Sequence, residues 1–200
     1  MKTRLALLLL AFAGAAWCNL TVTSPGPGEE LRYPVALIQG TATGARITVN
    51  NPDCTAPDAS NSAPVVDGRF KLLARLAPGE NDLTLTSGDA TAGLKLFYKP
   101  LTDPYQVAIV YLTGSEGETR YPSPWPDAPQ DYIGRLRTAA ELMQTFTGES
   151  MNAQGFGRLT FNLERDAQGQ VVVHTIRLPE TAAELRARDP GEQWGRSNEF

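Results

Sequence analysis

Short runs in which apolar and polar residues alternate fill the first half of the chain. In Leu20 to Thr23 and in Ala45 to Asn50 every second residue is apolar, which is typical of strands with one face in a core. Turn-forming sequences such as Ser24 to Gly28 and Asp67-Gly68 separate the runs. The predicted strands are Leu20 to Thr23, Tyr33 to Gln39, Ala45 to Asn50, Arg69 to Leu76, Leu83 to Thr86 and Leu94 to Tyr98. This pattern predicts an immunoglobulin-like β-sandwich over residues 17–100.

The pattern changes after Pro100. Tyr105 to Leu112 is an almost continuous apolar run, which predicts a strand buried on both faces. Apolar residues then recur at helical spacing, after an Asp131 that can cap the helix. The residues on this predicted face are Tyr132, Leu136, Ala139, Met143 and Phe146. We expect that face to pack on the sheet, with Arg135, Arg137, Glu141 and Gln144 lying off it.

Glycines and a tight turn organise the remainder. Gly155 and Gly157 end the helix, and Arg158 to Arg165 reads as a strand that turns at Asp166 to Gly169 and returns as Gln170 to Leu178. A last helix is predicted near Pro179. The order strand, helix, strand, strand predicts a second domain of α/β type over residues 104–200. The fold class expected for the whole chain is therefore α+β.

The first residues have the composition of a secretory signal peptide over residues 1–16. Lys2 and Arg4 form a basic start, Leu5 to Phe12 is apolar, and Ala13 to Ala16 supplies small residues for cleavage. No later run is long and apolar enough to predict a membrane span. Removing the two basic residues leaves 16 basic and 22 acidic residues. This net negative charge does not predict a nucleic-acid-binding protein. We therefore expect a secreted, extracellular chain.

Two cysteines and one glycosylation sequon lie in the β-rich half. An exported chain usually oxidises its thiols, so Cys18 and Cys54 are predicted to form a disulfide. A metal site at these cysteines would need further ligands nearby, and the only histidine of the chain is far away in sequence. Asn19 begins a sequon that could be glycosylated if the source is eukaryotic.

Few residues carry the patterns of catalytic chemistry. Neither Ser115 nor Ser150 lies in a Gly-x-Ser-x-Gly elbow, so both read as ordinary loop or helix-end serines. His174 shares a strand face with apolar residues, where a histidine is usually packed and hydrogen bonded. Pairs of carboxylates occur in loops, where they are more often solvated charges than an acid and base pair. These are Glu116 with Glu118 and Asp127 with Asp131.

A proline-rich loop between the buried strand and the helix carries two aromatic residues. Tyr121 and Trp125 could stack on a sugar or bind a protein partner. The alternative is that both pack the loop onto its own domain.

Several segments together resemble a known family. They are Tyr33 to Gly40, Val110-Tyr111-Leu112 leading to Glu118 to Pro122, Arg135 to Ala140, Met143 to Thr147, and Thr160-Phe161. The chain is similar in these segments to a family of zinc metallopeptidases best known from fungi. The resemblance implies a sandwich-like N-terminal region followed by a zincin-type catalytic domain, of which residues 104–200 would be a partial unit. In a zincin of this kind, an apolar face that packs on the active-site helix would lie exposed if that helix were absent.

The resemblance stops at the catalytic motif. A zincin binds zinc through His-Glu-x-x-His, and one histidine in 200 residues cannot supply it. No catalytic or metal-binding residue carries over, and zinc is expected only in a full-length relative. The chain is thus predicted to be the N-terminal portion of a secreted zinc metallopeptidase, without peptidase activity as it stands. The alternatives are an exported binding or adhesion module that holds a glycan or a protein, and an unrelated small enzyme that uses the loop carboxylates.

Overall fold

A computed structural model describes residues 19–54, 60–117, 119 and 132–188 of the chain. The described strands are β1 (Leu20–Ser24), β2 (Glu29–Leu31), β3 (Val35–Ala42), β4 (Arg46–Asn50), β5 (Ser60–Pro64), β6 (Arg69–Arg75), β7 (Gly79–Ser87), β8 (Ala90–Tyr98), β9 (Ile109–Thr113) and β10 (Val173–Arg177). The described helices are α1 (Tyr132–Ala153) and α2 (Ala182–Arg188). Strand content dominates, and the α+β class is consistent with it.

The β region, residues 20–98, is built from two sheets that share one core. One sheet has the order β1-β3-β6, and the other has the order β2-β8-β7-β4-β5. Alternation along each strand sends every second side chain into the space between the sheets, as Ile47 and Val49 of β4 do. Ile38, Phe70 and Leu72 meet them from the other sheet in the same cluster. This core lies wholly within the β region.

The predicted strands of the β region are confirmed, with changes at their ends. The structure adds β2, which is three residues long, and β5, which lies inside the segment expected to be the loop Asn51 to Pro64. β7 begins at Gly79, within the expected turn, because Gly79 pairs with Tyr98 across the sheet. β5 pairs antiparallel with β4 at the edge of the sheet. Its serine and asparagine side chains do not favour a strand, so backbone hydrogen bonds to β4 place this polar run in the sheet. The immunoglobulin-like type stays a prediction.

The α/β region, residues 107–188, is centred on a parallel pair of strands. Ile109 of β9 pairs with Val173 of β10, and α1 lies between them in sequence. The tight turn at residues 166–169 is confirmed, because the Asp166 amide donates to the Gln170 carbonyl. The predicted strand Arg158 to Arg165 is wrong, since only Leu163 and Arg165 form isolated bridges. Polar groups of that segment bind α1 instead, as when the Thr160 hydroxyl donates to the Gln144 carbonyl at 2.9 Å.

Helix α1 presents a different face to the protein from the one predicted. Met143 and Phe146, expected to pack on the sheet, are exposed to 51% and 75%. The buried residues are Ala140, Glu141, Gln144, Thr145 and Gly148. The predicted apolar stripe exists, but in its second half it faces solvent, because the strand next to the helix approaches on the side of the small and polar residues. No described helix is both long and apolar enough to cross a bilayer.

Candidate functional site

The junction is the set of contacts between the β region on one side and α1 together with residues 158–165 on the other. The Thr145 hydroxyl donates to the carbonyl of Val35 in β3 at 2.7 Å, and both residues are buried. One turn further along, Gly148 lies against the ring of the fully buried Tyr33. A Cβ at position 148 would overlap that ring, so only glycine permits this approach.

The first junction cluster consists of Glu29, Tyr33, Glu149 and Arg158, with Ser24 beside it. Glu149 Oε1 accepts from the Tyr33 hydroxyl at 2.5 Å and from Arg158 Nε at 2.9 Å. The same guanidinium pairs with Glu29 and donates to Ser24 Oγ at 2.7 Å. Arg158 is 8% exposed and Glu149 is 12% exposed in their side chains, so this ion pair is shielded from water.

The second junction cluster consists of Arg75, Glu141, Gln144 and Arg165. Glu141 accepts from Arg75 at 2.8 Å on one carboxylate oxygen and from Arg165 at 3.1 Å on the other. Arg165 also contacts the Gln144 amide oxygen at 3.3 Å, and the Gln144 amide group donates to the Phe161 carbonyl at 2.7 Å. A strand of the β region, the helix and the segment after it thus meet at one buried carboxylate.

The electrostatics of the first junction cluster follow from burial and from Glu149. Burial raises the pKa of Tyr33 far above its usual value, and the hydrogen bond to the Glu149 carboxylate raises it further. Burial lowers the pKa of Arg158, but the hydrogen bond and charge of Glu149 outweigh it, so the pKa lies above the usual value for arginine. Tyr33 therefore stays a neutral donor and Arg158 a cation at every physiological pH.

The chemistry of both clusters is structural. Each buried carboxylate faces at least one arginine and accepts the bonds that its charge requires, as expected for a satisfied network. No buried side-chain polar atom among the described residues lacks a partner. The two clusters therefore act as contacts that hold α1 and residues 158–165 to the β region.

The candidate residues of the sequence that the structure describes lie apart from the junction. Glu116 accepts from the backbone amide of Ala182 at 2.9 Å, at the start of α2. Ser115 contributes its backbone, which binds Glu180 and Arg177, and Ser150 is a half-buried residue of α1. His174 pairs with Glu164 at 2.6 Å, so the expected hydrogen bond is confirmed. The expected packing of His174 is wrong, since its side chain is 44% exposed.

The disulfide and the sequon have different outcomes. Cys54 is half-buried and forms no disulfide with any described residue, and Cys18 lies outside the described range, so the predicted pairing is not confirmed. Asn19 is exposed just before β1, and its side-chain oxygen accepts from the Thr21 hydroxyl at 3.3 Å. Glycosylation of Asn19 stays a prediction. The candidates Glu118, Tyr121, Trp125, Asp127 and Asp131 and the signal segment 1–16 lie outside the described residues.

The described residues do not fit a catalytic zinc ion. Such an ion takes three protein ligands and an open position. Within the described ranges no three His, Cys, Asp or Glu side chains come together, and the single histidine is paired with Glu164. No catalytic step can therefore be assigned to this part of the chain.

A groove of about 780 Å³ lies over the outer face of the β1-β3-β6 sheet. Its polar lining comes from outward-facing strand residues, which are Thr23, Gln39, Thr41, Arg69 and Lys71. The groove is cationic at one side because Arg69 and Lys71 alternate on β6. Neither the groove nor the junction was predicted from the sequence. The junction has one sequence signal, which is the spacing of Glu141, Gln144, Thr145 and Gly148 on one face of α1.

The chain that holds this junction has relatives among proteins named as peptidases. The sequence model of a family described as "Putative peptidase family" and named Metallopep matches residues 19–199. The match covers both the β region and the α/β region, so the chain belongs to this family.

Two curated relatives agree with this assignment. A putative zinc metalloproteinase of Schizosaccharomyces pombe is 28% identical over 146 residues, which are 64% of this chain and 24% of that protein. A putative zinc metalloproteinase of Saccharomyces cerevisiae is 28% identical over 149 residues, 65% of this chain and 21% of that protein. The matched region thus spans about a quarter or less of each relative's length.

Solved structures resemble the chain only weakly. Domains 4 and 5 of the S-layer protein SbsC reach a TM-score of 0.30 at 13% identity, over 40% of this chain and 50% of that one. A chimeric titin Z1Z2 tandem reaches 0.26 at 16% identity, over 48% of this chain and 58% of that one. Scores of this size do not show a shared fold.

Proposed function

We propose that this chain is the N-terminal, non-catalytic portion of a secreted zinc metallopeptidase. In this proposal an immunoglobulin-like β-sandwich holds a partial zincin-like α/β unit in place. The observation that carries it is the family match from residue 19 to residue 199, which includes both regions at once. The names of the two yeast relatives supply the zinc and the protease activity as properties of the family's longer chains.

The junction supports a scaffolding role for the β region. Neighbouring domains of one chain are expected to move relative to each other unless the contacts between them are strong enough to hold them together. Here two arginine and glutamate clusters and the Thr145 to Val35 bond connect α1 to the β region. Such contacts favour a β region that fixes the position of α1 and of the segments joined to α1.

Lack of activity is inferred from ligand chemistry. The metal-binding motif of a zincin needs two histidines one helical turn apart, and the sequence contains one histidine, His174. The described carboxylates that are buried are already occupied by arginines. We therefore assign this chain a structural role beside the metal centre of a longer enzyme.

Zinc content and peptidase activity test the proposal. The purified chain, dialysed against zinc-free buffer after exposure to zinc, should retain far less than one zinc per chain and should not cleave casein. Retention of about one zinc per chain, resistant to dialysis, would overturn the proposal. His174→Ala is the matched control, because any site in this chain that uses histidine must lose its zinc with that substitution.

Secretion is tested separately at the N-terminus. Expressed in a secretory host, the chain should be exported and should begin near residue 17, because the small residues at 13–16 form the cleavage site. Mass spectrometry of the exported protein reads the new N-terminus. The same spectra report whether Cys18 and Cys54 are joined and whether Asn19 carries a glycan. An intracellular, full-length product would contradict the signal peptide.

A second candidate function rests on the groove over the β1-β3-β6 sheet. Arg69 and Lys71 with the hydroxyls of Thr23 and Thr41 could bind a glycan or a protein segment that carries carboxylates. Screening the chain against neutral and acidic glycans tests this candidate. Binding that is lost on Lys71→Glu would favour a binding module, whereas unchanged binding would exclude the groove.

A further inference from the structure

A pocket of about 390 Å³ lies where the chain passes from the β region to the α/β region. Its lining comes from the connecting segment 101–107 on one side and from the segment 160–162 on the other, and we call it the linker pocket. It shares no described lining residue with the groove over the β1-β3-β6 sheet. Its volume lies in the range of sites that bind small ligands or single side chains, which is about 300 to 1,000 Å³.

Hydrogen bonds hold the two walls of the linker pocket together. The Val107 amide donates to the Asn162 carbonyl at 2.8 Å, and the Glu164 amide donates to the Val107 carbonyl at 3.1 Å. The Phe161 carbonyl accepts from the Gln144 side chain of α1 at 2.7 Å. The pocket is therefore formed before any ligand enters, so binding does not have to order its walls.

Asn162 places an oriented acceptor in this pocket. Its side chain is only 9% exposed, and its Nδ2 donates to the Asp103 carbonyl at 2.8 Å. Because a carbonyl can only accept, this bond fixes which end of the amide is nitrogen and which is oxygen. No described residue donates to Asn162 Oδ1, and no fully buried side-chain oxygen among the described residues lacks a partner. Asn162 Oδ1 is therefore accessible, and the opening that Asn162 lines is the linker pocket.

Asp103 and Tyr105 add a negative charge and an aromatic ring to the lining. The Asp103 side chain is exposed, and no described cation forms an ion pair with it. The Tyr105 side chain is 89% exposed, so its ring is left unpacked. The described lining contains no lysine, arginine or histidine. The pocket thus offers oxygen acceptors and a ring face, which are the groups that attract a cation with several N–H donors.

We propose that the linker pocket binds the side chain of an arginine in a peptide. The guanidinium donates to Asn162 Oδ1 and to the Asp103 carboxylate and lies against the Tyr105 ring. A guanidinium suits this lining because it is planar, carries five donors and has no acceptor. The net charge of −4 on the chain attracts such a cation and repels an anion. The inference goes beyond the proposed function, which assigns no ligand to this segment.

The test compares two peptides on the full chain by isothermal titration calorimetry at low salt. One is an acetylated and amidated alanine pentapeptide with arginine at its centre, and the other has citrulline at that position. Citrulline has the shape of arginine without its charge. The arginine peptide should bind about fivefold or more tightly than the citrulline peptide, because only the arginine peptide makes charge-assisted hydrogen bonds.

Three variants locate the binding. Asp103→Asn should weaken binding of the arginine peptide about fivefold or more, because it removes the carboxylate and leaves the backbone carbonyl that holds Asn162. Tyr105→Ala should weaken it about threefold through loss of the ring face. Asp89→Asn is the matched control, since it makes the same charge change in the exposed turn between β7 and β8. We expect it to weaken binding less than about twofold.

Three results would overturn the inference. They are absence of binding by the arginine peptide, equal binding of the arginine and citrulline peptides, and equal weakening by Asp103→Asn and Asp89→Asn. The last would assign the attraction to the charge of the whole chain. The altered side chains are exposed, so urea denaturation should give wild-type midpoints for all three variants. Zinc retention by this chain would overturn the proposed function without changing any of these results, so the two failures are distinguishable.

Discussion

Gly148 sets how closely α1 approaches the β region. Because glycine has no Cβ, the Tyr33 ring can lie directly against the helix at this position. Glycine inside a helix costs stability relative to alanine, about 1 kcal/mol, so its presence here reflects the packing. The sequence shows a glycine in a helical pattern but not the aromatic ring from residue 33 that requires it.

Gly148→Ala tests this contact. We expect a loss of about 2 kcal/mol in the free energy of unfolding, because the added methyl group must displace Tyr33 and its hydrogen bond to Glu149. Urea denaturation measures the loss. The control is Gly93→Ala in β8, where no atom lies within 4 Å of a new Cβ. Equal effects at both positions would contradict the packing explanation.

Tyr33 gives the protein a dependence on alkaline pH. Its pKa in the folded state lies above the ordinary value of 10.0, because burial and Glu149 favour the neutral hydroxyl. Above pH 10 the unfolded chain therefore releases a proton that the folded chain retains. The stability that Tyr33 contributes is complete below pH 10 and falls as the pH rises further.

Tyr33→Phe should make the loss of stability above pH 10 less steep than in the wild type. Urea denaturation at intervals from pH 8 to about pH 11 measures the slope. Tyr105→Phe is the control, because Tyr105 is 89% exposed and should leave the slope unchanged. A slope that is the same in all three proteins would mean that Tyr33 titrates normally.

At the scale of elements, α1 shows what a sequence pattern can and cannot predict. Its existence, its approximate start and the stripe of Ala139, Met143 and Phe146 all follow from helical spacing. Its orientation does not, because spacing identifies an apolar face without identifying a partner for it. The β region instead approaches the polar face, where Glu141 finds arginines from residues 75 and 165. Pairing partners this distant in sequence leave no local signal.

The first junction cluster makes a prediction at the same scale. Glu149→Gln should lower the free energy of unfolding by about 2 kcal/mol, because Arg158 would lose one of its two carboxylates while remaining shielded from water. Chemical denaturation at neutral pH measures the change. Glu80→Gln is the control, since its ion pair with Lys95 lies on the surface and should give no measurable change. A neutral result for Glu149→Gln would show that the junction pairs do not contribute to stability.

For the whole molecule, the sequence is most informative where contacts are local. Strands of the β region follow from alternation and turns, as in the β7 and β8 hairpin, in which Ser87 pairs with Ala90. The strand expected at Arg158 to Arg165 fails because that segment's polar groups bind α1 and the β region. The candidate site is likewise hidden, since the first junction cluster joins Tyr33 to Glu149, 116 positions apart, and the second joins Arg75 to Glu141, 66 positions apart.

The junction also predicts how the molecule unfolds. The β region and α1 should unfold in one transition, because α1 shares buried bonds with β3 and with Tyr33. Urea unfolding followed by circular dichroism reports helix, and amide hydrogen exchange reports β3 and β6. The two midpoints should coincide, and Arg158→Ala should shift both together. Loss of the helix signal at a lower urea concentration than the strands would show that the two regions are independent.

The parallel pairing of β9 with β10 has a consequence for folding as a process in time. Ile109 must find Val173, 64 residues later in the chain, whereas Ser87 finds Ala90 across a turn. Contacts between distant residues form slowly because the chain entropy of closing the loop is lost first. On a ribosome, the β region can therefore be complete while β9 still waits for its partner to be synthesised. During that interval Val110 and Leu112 lie on an unpaired strand, so we expect this strand to be the segment of the nascent chain most prone to aggregate and most in need of a chaperone.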